Sequence, residues 1–500
     1  MATTEAETAD SEASPGTQGV PPRRRAAIAG LAVGLALVAL GGALLLLRDD
    51  GGPEMQMTAS ANVPVNQDTT SLNAHNSPTI VASPTDRNTL VIANRIDRPQ
   101  FGASVHVSRN GGATWSAAPL VLPPGEQRPH TPDVAFDAKG TLYVVFATMH
   151  GDSPANYPGG LWLERSGDGG VSFSAPVKVA GDFTYQPRLA VDSESARVHV
   201  TWLQATPAVV EELAAVVKSS ADKRNPGFGP GPNPIVMASS VDAGVSFSAP
   251  VQVNEAARSR VGAATPVVGP GGEVSVLYQD FGDDATDFEG KPGPVYNGRF
   301  SLVLAHSPDG GNSFSTRSVV DADLVASERF LAYLPRFPSI AVDSKGTFYV
   351  GWSDARNGDA DVFLRRSDDA GKSWSKPVRI SDEKGPRGDQ YLPQVAVAPG
   401  GRVDVVYLDR RTGPNNALAV AALATSFDRG NTWESITVSD SLFDSSVGPR
   451  NDRETPDPGS RLGLVSTATA AYPVWTDTRR GTPDTGKQDL FFSPVLFART

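Results

Sequence analysis

The chain has no cysteine among its 500 residues. A disulfide framework, thiolate chemistry and cysteine metal ligation are therefore excluded. Histidine is scarce too: the six present show no zinc-ligand spacing. Acidic loops at Asp283-Asp284 with Asp287, and at Asp359 with Asp361, are read as solvated rather than as Ca²⁺ sites. No Gly-rich phosphate loop joins a strand to a helix, so neither metal nor nucleotide cofactor is expected. Positive charge is in deficit, with 44 Lys and Arg against 55 Asp and Glu for a net charge of -11. That balance argues against nucleic acid or anionic lipid as a partner of the main domain and favours solubility.

Long apolar runs are also lacking, with one exception. Ala26 to Leu47 gives 22 consecutive uncharged residues rich in Leu, Ala, Val and Gly, enough to span a bilayer as a helix. Arg23-Arg24-Arg25 precedes it, which places the N-terminus in the cytoplasm and the rest outside. A cleaved signal peptide is the alternative. The length of the run, and the absence of a small-residue cleavage site in Leu44-Leu45-Leu46-Leu47-Arg48-Asp49-Asp50, favour an uncleaved anchor. The expected layout is a disordered cytoplasmic tail at 1–25, a transmembrane helix at 26–47, a linker at 48–61 and a folded extracytoplasmic domain at 62–498.

What the chain does have is a repeated turn. Ser367-Asp368-Asp369-Ala370-Gly371-Lys372-Ser373-Trp374 has counterparts beginning at Ser108, Ser166, Ser240, Ser307 and Ser426, spaced 58, 74, 67, 60 and 59 residues apart. The pattern is Ser-x-Asp/Asn-x-Gly-x-Ser/Thr-Trp/Phe. The Asp or Asn oxygen can accept backbone N–H groups of its own turn, Gly supplies a positive φ, and the aromatic anchors the turn in apolar packing. Six copies at that period point to one repeat architecture rather than several domains.

Each unit reads as four short strands, A to D, as in Arg336 to Val342, Thr347 to Trp352, Asp361 to Arg366 and a closing strand near Val378. Strand A openings at Pro78, Pro132, Pro187, Pro266, Pro338, Pro393 and Leu462 number seven, one more than the turns. An all-β, seven-bladed propeller is expected, with six as the alternative count. The last unit lacks a fourth strand, and Asn62-Val63-Pro64-Val65-Asn66 resembles a D strand, so the N-terminal segment is expected to close the ring. In this order D-to-A and B-to-C connections share one face, the mouth, and the repeated turns lie on the other. Long mouth loops are expected at 281–299, 316–335 and 436–460, and a short amphipathic helix at Pro207–Ala221.

At the ends of B strands a polar set recurs: Trp352-Ser353-Asp354-Ala355-Arg356, Tyr407-Leu408-Asp409-Arg410-Arg411 and Trp475-Thr476-Asp477-Thr478-Arg479-Arg480, with a partial version around Arg95. Strand A openings add Arg188, Arg336, Arg461, Tyr391, His75 and His130. One reading pairs Asp with Arg to hold the ring at its rim. The other converges guanidiniums on a carboxylate ligand.

The turns resemble the Asp-box (BNR) repeat of sialidases and related propellers, over roughly residues 62–498. Arg336-Phe337-Pro338 is similar to the sialidase Arg-Ile-Pro motif, although it stands in the fifth unit and the first has Asn76-Ser77-Pro78. The resemblance implies an exo-sialidase-type glycoside hydrolase acting on acidic glycans, with no cofactor. It implies a carboxylate grip by arginines, with Arg336, Arg356 and Arg411 foremost and Arg95, Arg188, Asp409 and Asp477 as further substrate-binding candidates. Asp354 is the positional candidate for the acid, and Tyr391 and Tyr407 are candidates for the nucleophile. A non-catalytic module that binds glycan or protein with the same mouth is the alternative.

Overall fold

The computed structural model describes residues 55–68, 72–151, 157–206, 211, 228–229, 232–332, 335–381, 388–411, 416–449 and 457–499. The expected tail, the apolar run and all but Glu211 of the expected helix at Pro207–Ala221 lie outside them. Among the described residues no helix is long and apolar enough to cross a membrane.

Seven antiparallel sheets follow one another along the chain, each in the order A-B-C-D. Their A strands are His75–Ala82, Arg128–Phe136, Thr184–Val191, Val261–Val268, Ser339–Val342, Gln390–Val397 and Gly463–Ser466. The domain is a seven-bladed propeller. Short runs rich in Val, Leu, Ile and Ala form the B and C strands because both their faces are covered by neighbouring blades. Apolar clusters accordingly bridge blades, as where Tyr143, Val145 and Leu161 of blade 2 meet Val198, Val200 and Trp202 of blade 3.

Closure is made by the first strands. Val63–Pro64 pairs antiparallel with Asp489–Phe492, the C strand of blade 7, and supplies its missing D strand. Val65 N–H donates to Leu490 O at 2.9 Å, and Leu490 N–H donates to Asn66 Oδ1 at 2.7 Å. The sheet also reaches further upstream than expected. Met55–Ala59, assigned to the linker from composition, pairs with Val495–Arg499 at the foot of the same blade.

Two loop expectations change. Thr316–Leu324, the first part of the expected loop at 316–335, is the D strand of blade 4, and Glu434–Thr437 opens 436–460 as the D strand of blade 6. The loop at 281–299 does exist on the mouth face. Arg329 holds it through Asp287 at 2.7 Å and the carbonyls of Gly293, Thr286 and Lys291 at 2.8 to 3.0 Å.

The repeated turns join C to D and lie opposite the mouth. In the Ser367 copy, Gly371 N–H donates to Ser367 Oγ at 2.9 Å, and Ser373 N–H and Oγ–H donate to the two carboxylate oxygens of Asp369 at 2.9 and 2.5 Å. Those bonds, the Ser373 hydroxyl foremost, hold Asp369 down at about 2. The turn glycines Gly112, Gly170, Gly244, Gly311, Gly371 and Gly430 all have φ between 78° and 93°.

Conformation is half of the reason for glycine. A Cβ on Gly371 would lie 2.5 Å from Leu304, one on Gly244 2.5 Å from Leu163, and one on Gly112 2.0 Å from Phe492. Each of these neighbours belongs to the C strand of the preceding blade. The turns are latches, each pressed by a bare backbone onto the blade before it, and the aromatic beside it completes the contact, as Trp115 does edge-on to Phe492 at 5.2 Å.

Gly371→Ala should therefore cost about 3 kcal/mol in chemical denaturation, from the left-handed backbone and the clash together. Acid should loosen the same latches. A carboxyl whose folded pKa lies below its unfolded value contributes stability above the unfolded value and loses it as pH falls toward the folded one. The melting temperature should drop between about pH 4 and pH 2, and less steeply in Asp369→Asn, which starts lower.

Candidate functional site

The mouth is shaped by a feature repeated in the A strands. In blades 1, 2, 3, 4 and 6 the A–B register slips by a residue just inside the opening. Within each slip lies a non-glycine residue in the left-handed region: Ser77 (φ 54°), Thr131 (φ 44°), Gln186 (φ 56°), Ala263 (φ 54°) and Leu392 (φ 56°). Such bulges re-aim side chains, and their strain of order 1 kcal/mol each is characteristic of sites rather than scaffolds.

Below the bulges the axis is floored by side chains from several blades. Arg188 lies 3.4 Å from Asp133 Oδ2, which also accepts Leu189 N–H at 2.9 Å. Arg461 donates through Nε to Thr79 Oγ1 at 3.0 Å and through a terminal nitrogen to Pro132 O at 2.8 Å. Both guanidiniums stand over the ring of Phe337, at 5.6 and 6.0 Å. Arg461 is buried and has no carboxylate in salt-bridge reach among the described residues. Burial first, then the neighbouring Arg188, pulls it down to about 9, so it keeps its charge at neutral pH.

The segment Asp457–Arg461 is drawn across this floor. Asp457 pairs with the buried Arg95 at 2.9 Å, Arg95 also meets Asp97 at 2.7 Å, Ser460 N–H donates to Ser77 Oγ at 2.9 Å, and Ser460 O accepts Phe337 N–H at 2.9 Å. Gly459 permits the approach: its φ is 101° and a Cβ there would lie 2.9 Å from Ser77 N.

Beside the floor, Tyr391 is sandwiched between Arg336 at 4.6 Å and Arg410 at 4.4 Å from its ring centre. Its buried hydroxyl has no hydrogen-bond partner among the described residues. Arg336 is ion-paired with Glu328 and lines a cavity of about 90 Å³ with Phe281, Phe330, Phe337 and Trp352. Arg336, Arg188, Arg95 and Tyr391 thus gather around the mouth as the strand pattern implied, and Arg461 and Glu328 join them.

The rim carboxylates are placed otherwise. Asp354 accepts Trp352 Nε1–H at 2.7 Å and is held by Arg356 at 2.6 Å, while Arg356 reaches back to Asp321 of blade 4 at 3.1 Å. Asp409 is clamped by Arg411 at 2.7 Å, and Asp477 by Arg479 at 2.7 Å and Trp475 Nε1–H at 2.9 Å. Each clamp closes inside its own blade, over two residues, with an arm to the blade before in the first and last. Of the trio Arg336, Arg356 and Arg411, the last two already hold carboxylates of their own blades. Asp354, offered as the acid, is a clasp. Tyr407, offered as a nucleophile, is buried in the apolar layer with Tyr349, Val362 and Val395, between blades 5 and 6.

A tyrosine–glutamate pair that the sequence could not reveal does exist. Tyr278 O–H donates to Glu255 Oε2 at 3.1 Å, and burial, then the Glu255 charge, pushes the phenol above the tyrosine range. It belongs to a separate charged depression with Arg258 and Asp280 that shares no lining residue with the Arg336 cavity.

No protein-family model matches the chain, and no curated protein matches it. Solved structures do. A protein of unknown function from Dyadobacter fermentans is 14% identical, with 88% of this chain and 99% of that one covered at a TM-score of 0.49. A Hadza microbial sialidase is 11% identical over 82% and 74% at 0.42, and a polysaccharide lyase family 25 ulvan lyase is 12% identical over 84% and 93% at 0.49. At these identities and scores the site has to be read from its own residues.

Asp354→Asn should act as a structural lesion. The loss expected is on the order of 2 kcal/mol, below the full cost of breaking a buried pair because Arg356 keeps Asp321. Urea denaturation checks it.

Proposed function

We propose that the chain is a glycan-acting propeller whose mouth grips the carboxylate of an acidic sugar. The observation that carries this is Arg461: a buried guanidinium with no carboxylate in salt-bridge reach among the described residues, its nearby negative charge being Asp133, which Arg188 and the backbone already share. A buried cation so weakly compensated is costly, and a bound anion lowers that cost. Planar guanidiniums suit a carboxylate well. Arg188 and Arg461 form the floor of this grip and Arg336 its wall, with Phe337 presenting an apolar surface between them. Held outside the cell by the apolar helix at 26–47, the propeller would present this mouth at the cell surface.

Hydrolysis of the exo-sialidase type is the second reading, and one observation favours it. Tyr391 has two guanidiniums against its ring and a hydroxyl without a partner among the described residues, with Glu328 on one of those arginines. Fully buried as it stands, Tyr391 would have to be uncovered before it could attack an anomeric carbon while an acid protonates the leaving oxygen.

Calorimetry of the full-length chain with sialic and uronic acids tests the first reading. Arg461→Met should weaken acidic-sugar binding on the order of 30-fold and leave a neutral analogue unaffected; equal affinity for both sugars would contradict it. Turnover of aryl sialosides or uronides that is lost in Tyr391→Phe would support the second reading, and binding without turnover the module.

A further inference from the structure

Three aromatic rings stand in a row on the mouth face where blade 2 meets blade 3. His150 ends the B strand Leu142–His150, Tyr157 opens the C strand Tyr157–Ser166, and Phe183 lies directly before Thr184–Val191. The rings of His150 and Tyr157 are 5.4 Å apart at 19°, and those of Tyr157 and Phe183 6.1 Å apart at 23°. If planes this nearly parallel touch at about 3.5 Å, those separations mean lateral slides of roughly 4 and 5 Å. Each ring is stepped past the next, with Tyr157 the most exposed of the three. The row is a terrace rather than a stack.

The terrace is built, not incidental. Phe183 is held at φ 61°, a region bulky side chains rarely enter, by Phe183 N–H donating to Pro158 O and Ala205 N–H donating to Phe183 O, each at 3.2 Å. His150 is anchored by Glu126 at 2.8 Å, and a Cβ on Gly159 would lie 2.5 Å from its Nε2, so only glycine leaves room for the ring. Tyr157 is 40% exposed. Among the described residues only Phe427, on the opposite face, is a comparably exposed aromatic.

We infer that this terrace is a subsite for an uncharged sugar ring of the same glycan whose acidic residue sits on Arg188 and Arg461. This rests on the proposed function and deepens it. Flat apolar ring faces gain dispersion and CH–π contact from aromatic planes without needing charge. The geometry also sets the size of the ligand. Phe183 leads into the strand that carries Arg188 five residues on, at most roughly 16 Å away at strand rise. A stretch of several sugar rings is long enough to reach both, so the site is read as taking polymer rather than one terminal residue.

The test is titration of the full-length chain with glucuronic acid and with a hexasaccharide alternating glucuronic acid and a neutral sugar. The hexasaccharide should bind more tightly. Tyr157→Ala, and Phe183→Gly, which accepts the positive φ, should each weaken it about tenfold and leave glucuronic acid unchanged, while Arg461→Met weakens both ligands. Unchanged hexasaccharide affinity in Tyr157→Ala, with wild-type binding of both ligands intact, overturns the terrace and leaves the carboxylate grip standing. Wild-type chain that binds neither ligand overturns both.

Discussion

The ring closes because six of its seven blades press bare backbone onto the one before. Gly371 against Leu304, Gly244 against Leu163 and Gly112 against Phe492 are contacts in which a single methyl group has no room. In the same turns the leading Ser hydroxyl accepts the glycine N–H and the Asp oxygens hold the following Ser or Thr, so the latch is preformed before it meets its neighbour. Closure by Val63–Pro64 then leaves blade 7 with a full set of strands and joins the two ends of the domain. Everything at the mouth depends on this, since a ring held from below brings A strands from blades 1, 2, 3, 5 and 7 close enough to share one floor.

That floor inverts the usual rule for charge. Most arginines near the mouth have matched acids: Arg95 has Asp97 and Asp457, Arg356 has Asp354 and Asp321, and Arg411 has Asp409. Arg461 alone among those described here is buried with only neutral acceptors. Repetition explains the first group and not the second. A clamp that recurs in three blades serves the ring, whereas a buried cation paired with neutral acceptors and occurring once, over an aromatic ring, is the feature on which the proposed ligand rests.

Much of the architecture was legible in the residues. The turn motif encoded glycine, acid and aromatic at fixed spacing, so unit count, strand order and the closing strand followed from local chemistry. Arg336, Arg188 and Arg95 were placed near the mouth by strand direction alone. The ion pairs were not legible, because Asp354–Arg356 and Asp409–Arg411 look the same in sequence whether they face a ligand or each other. Nor were Glu328, Asp457 or the Tyr278–Glu255 pair, which come from loops whose paths depend on tertiary packing. The bulges at Ser77, Thr131, Gln186 and Leu392 had a trace in the proline that follows each of them, but proline restricts its predecessor without revealing a left-handed turn.

The most direct measurement is a crystal structure of the chain soaked with a uronic or sialic acid. The account predicts the carboxylate on the propeller axis, within hydrogen-bond distance of Arg461 and beside Arg188, with the sugar ring over Phe337. A sugar bound at the rim clamps or on the face of the repeated turns, with Arg461 untouched, would contradict it.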